Sequence, residues 1–117
     1  MAEIFSLADF GFPTFKYRQM VAASVPKWFA DLNAKDHLVI MNIYGSVTTA
    51  EPGATLTFTD EDSANTFLVL PIALAGVFQY HDLYLQLPMG KDIRVAHSGT
   101  SGVVNLTIVC ARRPYLP

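Results

Sequence analysis

Cysteine and charge are both scarce in this sequence. Cys110 is the only cysteine among 117 residues, so an intrachain disulfide is impossible and a cysteine zinc cluster is excluded. Charged residues make up 15% of the chain and the formal net charge is -2, which removes any general case for nucleic-acid binding. Arg112 and Arg113 form the only adjacent basic pair and read as a solvated tail rather than a phosphate site. No run approaches the roughly 18 apolar residues of a membrane span. The opening MAEIFSLADF lacks a basic segment followed by a continuous apolar one, which predicts a soluble protein made in the cytoplasm. There is no glycine-rich phosphate loop, no repeat and no low-complexity tract.

What is abundant is apolar and β-branched. At 51% hydrophobic, the chain suits one domain with a real core, whereas two domains of half this length would each be too small to bury one. Turn signals cut it into short pieces at Tyr44-Gly45, Glu51-Pro52-Gly53, Asp60-Glu61-Asp62, Leu70-Pro71, Pro88-Met89-Gly90 and from Ser98 to Gly102. Between them, residues 37–44, 54–59, 66–70, 83–87, 92–97 and 103–111 have strand composition, and 15–22 alternates as an edge strand would. Residues 71–80, PIALAGVFQY, read as a helical turn or an irregular crossover. One helix is predicted over 25–34, where Ser24 caps, Pro26 occupies the first turn, and Trp28, Phe29 and Leu32 share a face. The expected fold is all-β: an antiparallel β-sandwich, jelly-roll-like, with at most one short helix near Trp28.

The motif closest to chemistry is HSGTSG, residues 97–102, which sets a histidine beside two serines among glycines. A catalytic triad needs a carboxylate on the histidine, yet Asp92 and His97 are an odd number of residues apart and point to opposite faces of a strand. The nucleophile-elbow pattern fails as well, because Gly99, Ser101 and Val103 occupy its three diagnostic places. The motif therefore reads as the turn of a β-hairpin, with Gly99 opposite Gly102, Val95 facing Leu106, Ile93 facing Ile108 and His97 facing Val104.

Other candidates are equally spare. His37, His81 and His97 fall on separate segments without ligand spacing, and Asp60-Glu61-Asp62 lacks the order of a calcium loop, reading instead as a solvated hairpin tip. Trp28, Tyr80 and Tyr84 are candidates for stacking on sugars, weighed against Trp28 lying in the core. No catalytic residue, metal or cofactor is expected, and the chain reads as a non-enzyme.

The N-terminal residues 1–14 form an aromatic arm in which Phe5, Phe10 and Phe12 need a surface to cover them, either on their own domain or on another subunit. Residues 15–111 then form the β domain. The tail, 112–117, carries Tyr115 and Leu116 between prolines that prevent regular structure, so it too is a candidate for partner contact.

The order of features from Leu70 onward, LVLPIALAGVFQYHDLYLQLPMGKDIRVAHSGTSGVVNLTIVCA, resembles the C-terminal part of small β-sandwich accessory proteins of tailed-phage virions. The likeness lies in Leu70-Pro71 ending a strand, Gly76-Val77-Phe78 in a crossover, and Gly90-Lys91-Asp92-Ile93 entering a closing hairpin turned by Ser98-Gly99-Thr100. It implies a virion structural protein without cofactor, most simply a capsid decoration or cement protein bridging major capsid subunits, with Phe5, Phe10, Phe12, Tyr115 and Leu116 as contacts. A tail or neck component, or a carbohydrate-binding module, is the alternative. Self-association, as a trimer at a threefold position, would suit a symmetric shell.

Overall fold

Alternating apolar residues in short β-branched runs must bury one side each, and here they do so by forming two antiparallel sheets around one core. The structure is a computed structural model and describes residues 14–20, 24–25, 28–29, 32 and 34–113. Its strands are β1 (Thr14–Met20), β2 (Ser24–Val25), β3 (His37–Thr49), β4 (Thr55–Asp60), β5 (Thr66–Pro71), β6 (Gly76–Tyr80), β7 (Leu85–Gln86), β8 (Ile93–His97) and β9 (Val103–Arg113). The first sheet runs β1-β9-β3-β6, with β7 also paired to β3; the second runs β2-β8-β4-β5. The all-β expectation holds, and the described residues contain no helix.

The core draws on both sheets. Leu38, Ile40, Ile43, Val104, Leu106, Ile108 and Cys110 come from the first, and Leu56, Phe58, Ile93 and Val95 from the second; all are fully buried. Full burial of such side chains contributes about 1.5–3 kcal/mol each. The long strand β3 keeps its core side through a bulge between Ile40 and Asn42 that shifts the inward set from Leu38 and Ile40 to Ile43 and Val47.

Several sequence expectations need correction. Tyr44-Gly45 is not a turn: both lie inside β3, and Gly45 is required because the Phe78 ring of β6 packs where its side chain would be. Residues 76–80 form a strand rather than part of a crossover, pairing Gly45 with Phe78. Arg112 and Arg113 extend β9 opposite Leu38 and His37 instead of beginning a loose tail. Around Trp28, Val25 belongs to β2, and Trp28 and Phe29 form a bend in place of the expected helix. Both rings are buried, so apolar spacing reported burial rather than a helical face.

The largest correction concerns residues 93–111. β8 and β9 are not a hairpin: β8 pairs with β2 and β4 in one sheet, while β9 pairs with β1 and β3 in the other. The alternation was read correctly, since Ile93, Val95 and His97 are buried on β8 and Val104, Leu106 and Ile108 on β9. Facing across a core and neighbouring within a sheet impose the same period of two, so the pattern fixes the buried side but not the partner.

Candidate functional site

The HSGTSG segment is the corner by which the chain crosses from the second sheet to the first, and its own His97 and Ser98, together with Glu51 from another segment, organise it. His97, the last residue of β8, is buried and spends both ring nitrogens on the corner's backbone. Nδ1 accepts from Gly99 N–H at 2.9 Å, so Nε2 carries the proton and donates to the Gly102 carbonyl at 2.9 Å. Neither nitrogen remains to activate a hydroxyl. Ser98 Oγ accepts from Thr55 N–H at 2.8 Å, and the Ser98 N–H returns a bond to the Thr55 carbonyl at 3.0 Å, tying the corner to β4.

Glu51 completes the arrangement. It stands where the chain leaves β3 for β4, and its Oε1 accepts from Thr100, Ser101 and Gly102 N–H at 3.0, 2.8 and 2.6 Å. Its Oε2 takes a second bond from Thr100 N–H, at 3.0 Å. Successive N–H groups converging on one point make an anion-binding concavity, and here the anion is the protein's own. The bonds from Gly102, Ser101 and Thr100 hold the carboxyl well below its ordinary 4.5, at about 2. Gly99 is explained by the same contact, and Gly102 by the packing of Ile72. A Cβ on Gly99 would collide with Glu51 Oε1, and one on Gly102 would lie 2.7 Å from Ile72 Cδ1. The motif that resembles a nucleophile loop is a carboxylate-filled clamp between two sheet crossings.

The opposite end of β4 and β8 holds a second acidic group, Asp60, Glu61, Asp62 and Asp92. Asp60, expected on a solvated tip, is buried, and its carboxylate accepts from Asp62 and Ala64 N–H and from Asn65 Nδ2. Burial pushes Asp60 up, but these bonds outweigh it and the net shift is downward. Glu61 Oε1 accepts from Asp92 N–H at 2.8 Å, and Asp62 pairs with Lys91 at 2.9 Å. Asp92, also buried, accepts from Phe29 N–H and Ile93 N–H, both at 2.7 Å. Desolvation dominates there and raises its pKa. Among the described residues, no group of three His, Cys, Asp or Glu side chains could hold a metal ion.

The sugar-stacking candidates separate. Trp28 is fully buried, Tyr80 packs against the core, and Tyr84 alone is well exposed. His37 gives its Nδ1–H to the Leu87 carbonyl, far along the chain from His81 and His97. The partner-contact candidates Phe5, Phe10, Phe12, Tyr115 and Leu116 lie outside the described residues. Sequence reading placed Glu51 in a turn and missed its part in the corner, because its partners are 49 to 51 residues away. Its one signal was the pair of glycines flanking small polar residues, the composition of a backbone that receives an anion. No family model matches the chain, and neither a curated protein nor a solved structure matches it.

Proposed function

We propose that this chain is a virion structural protein, a capsid decoration or cement protein that bridges and stabilises neighbouring major capsid subunits. The observation that carries this reading is the winding of the chain. With β1-β9-β3-β6 in one sheet and β2-β8-β4-β5 in the other, each sheet interleaves early and late strands, and only β4 and β5 are sequence neighbours that also pair across a turn. We take this as the double Greek-key order of a jelly roll, an architecture that viral capsid proteins use, and also lectins. The Glu51 clamp suits such a role, because a bridging domain must keep its surface shape under load.

Contact with the shell is assigned to the aromatic arm. Phe5, Phe10 and Phe12 offer large contact area with few rotatable bonds, and an extended arm reaches about 3.3 Å per residue, enough to touch a second subunit. Tyr115 and Leu116 add contacts at the other terminus. Apolar side chains exposed along one margin, Val69 on β5, Leu74 in the connection and Val77 on β6, extend the available surface. Self-association as a trimer would multiply modest contacts at a symmetric site.

The deciding experiment is decoration of particles at limiting protein concentration. Removing residues 1–13 is expected to leave a folded domain but to lower particle occupancy sharply, while Ser101→Ala changes occupancy little. Full occupancy by the truncated chain would remove the arm as anchor, and failure of the intact chain to copurify with any shell protein would overturn the capsid assignment.

A further inference from the structure

The outer face of the first sheet carries side chains that neither the core nor the corner uses. Pairing places Tyr17, Thr107, Tyr44 and Gln79 in one row across β1, β9, β3 and β6, and Gln19, Asn105, Ser46 and Val77 in the next. With strands about 4.8 Å apart, each row spans roughly 14 Å. Neither row contains a charged side chain.

Two small networks hold these rows in fixed poses. Asn105 Oδ1 accepts from Tyr17 OH at 2.9 Å and from Gln19 Nε2 at 3.2 Å. Those two bonds orient the amide and turn its NH2 group into a positioned donor. On the other side, His81 Nε2 donates to Gln79 Oε1 at 3.1 Å and Nδ1 accepts from Tyr44 OH at 3.4 Å, with the Tyr44 and His81 rings edge to face. Each network pairs a tyrosine with a primary amide.

Beside the second network the edge of the sheet is kinked. β6 and β7 both pair with β3 but are separated by residues 81–84, which face the β3 bulge. Asp82 and Tyr84 adopt φ of 55° and 49°, a left-handed conformation that costs a non-glycine residue about 1–2 kcal/mol. The kink is pinned by Asp82 N–H to Asn42 Oδ1 and by Leu83 N–H to the Met41 carbonyl. It presents His81 to the first network's counterpart and leaves Tyr84 56% exposed. Strain of this kind persists where the displayed group has a task.

We propose that this face is a binding platform for a neutral glycan, with Tyr17 and Tyr44 stacking on sugar rings and Asn105, Gln79 and Thr107 bonding their hydroxyls. Charge complementarity selects the occupant. A surface of phenol, amide, hydroxyl and imidazole, with no Lys or Arg in either row, offers no fixed positive charge to offset a sulfate, a uronate or a phosphate, but matches the alternating apolar faces and hydroxyl edges of an uncharged sugar chain. The proposal does not depend on decoration of a particle.

The test uses the intact chain on an array of neutral and acidic glycans, followed by affinity electrophoresis in gels cast with whichever neutral polysaccharide binds. Retention by at least one neutral glycan is expected. Tyr17→Ala and Tyr44→Ala should each weaken it about tenfold, the scale of one lost aromatic contact. Asn105→Ala should weaken it as well, and Tyr17→Phe, which keeps the ring but frees Asn105, should fall between. Thr57→Ala, on the outer side of the second sheet, should leave retention unchanged. Absence of neutral-glycan binding, preference for acidic glycans, or retention indifferent to Tyr17→Ala, Tyr17→Phe and Asn105→Ala alike would overturn the proposal. So would a protein partner that these variants release while no glycan binds.

Discussion

Glu51 and Asp92 do similar work at opposite ends of the molecule under opposite electrostatic terms. Each carboxylate accepts backbone N–H groups from a distant segment: Glu51 fastens the 97–102 corner, and Asp92 fastens the bend at Phe29. At Glu51 the donated bonds outweigh the little that solvent exclusion takes away, and ionisation is favoured; at Asp92 deeper burial, helped by the nearby Glu61 charge, outweighs the bonds it accepts, and ionisation is opposed. The pair teaches that depth of burial, weighed against the bonds donated, decides whether a structural carboxylate gains or loses from its charge. The sequence neighbourhood does not decide it.

The comparison breaks most completely at the buried end. Trp28→Ala removes the largest fully buried side chain there and should cost about 3–5 kcal/mol, measured as a lower midpoint in urea unfolding. Asp92→Ala should cost somewhat less, about 2–4 kcal/mol, because it strands the N–H groups of Phe29 and Ile93 without adding a cavity as large. Amide exchange should report that loss as faster exchange at those two residues. Normal stability of Asp92→Ala would show that the bend needs no carboxylate.

The smallest effect is expected at the exposed end, and pH sharpens it. Glu51 has a lowered pKa, so its contribution is complete above its ordinary 4.5 and is lost as the pH falls toward about 2. Asp92 has a raised pKa, so its titration runs the other way: the contribution is complete below its ordinary 3.8 and fades as the pH rises through the folded value. Glu51→Gln should therefore lower the urea midpoint at neutral pH, with the gap to the parent chain closing as both are taken down toward pH 2. A gap that stays constant across that range would mean that the carboxylate's charge contributes nothing to the clamp.

Much of the strand content was legible because β4, β8 and the edge strand β1 alternate in sequence and β5 is a short apolar run, with turn residues between them. Local signals failed where a distant side chain changed their meaning. Gly45 looked like a turn residue because the Phe78 ring that needs its missing side chain lies 33 positions on, whereas Gly76, with open space around it and a φ of 153°, hid the start of a strand. At the corner, glycine and serine were recognised as a change of direction, but a hairpin and a sheet crossing share that composition. The site was least legible of all: a lone glutamate before Pro52-Gly53 gives no hint of which backbone it will meet. Outward-facing rows such as Tyr17, Thr107 and Tyr44 become a surface only once the strand order is known.

Cys110 has a practical bearing on all such measurements. Its thiol is buried between the sheets, and burial pushes its pKa well up, so almost no thiolate is present in the native protein at neutral pH. A thiol reagent in the surrounding buffer finds its target when β9 parts from β3, the pairing that places Cys110 opposite Ile40. The chain thus carries one internal chemical clock, and the rate at which it is alkylated counts openings of the core rather than fraying at the ends.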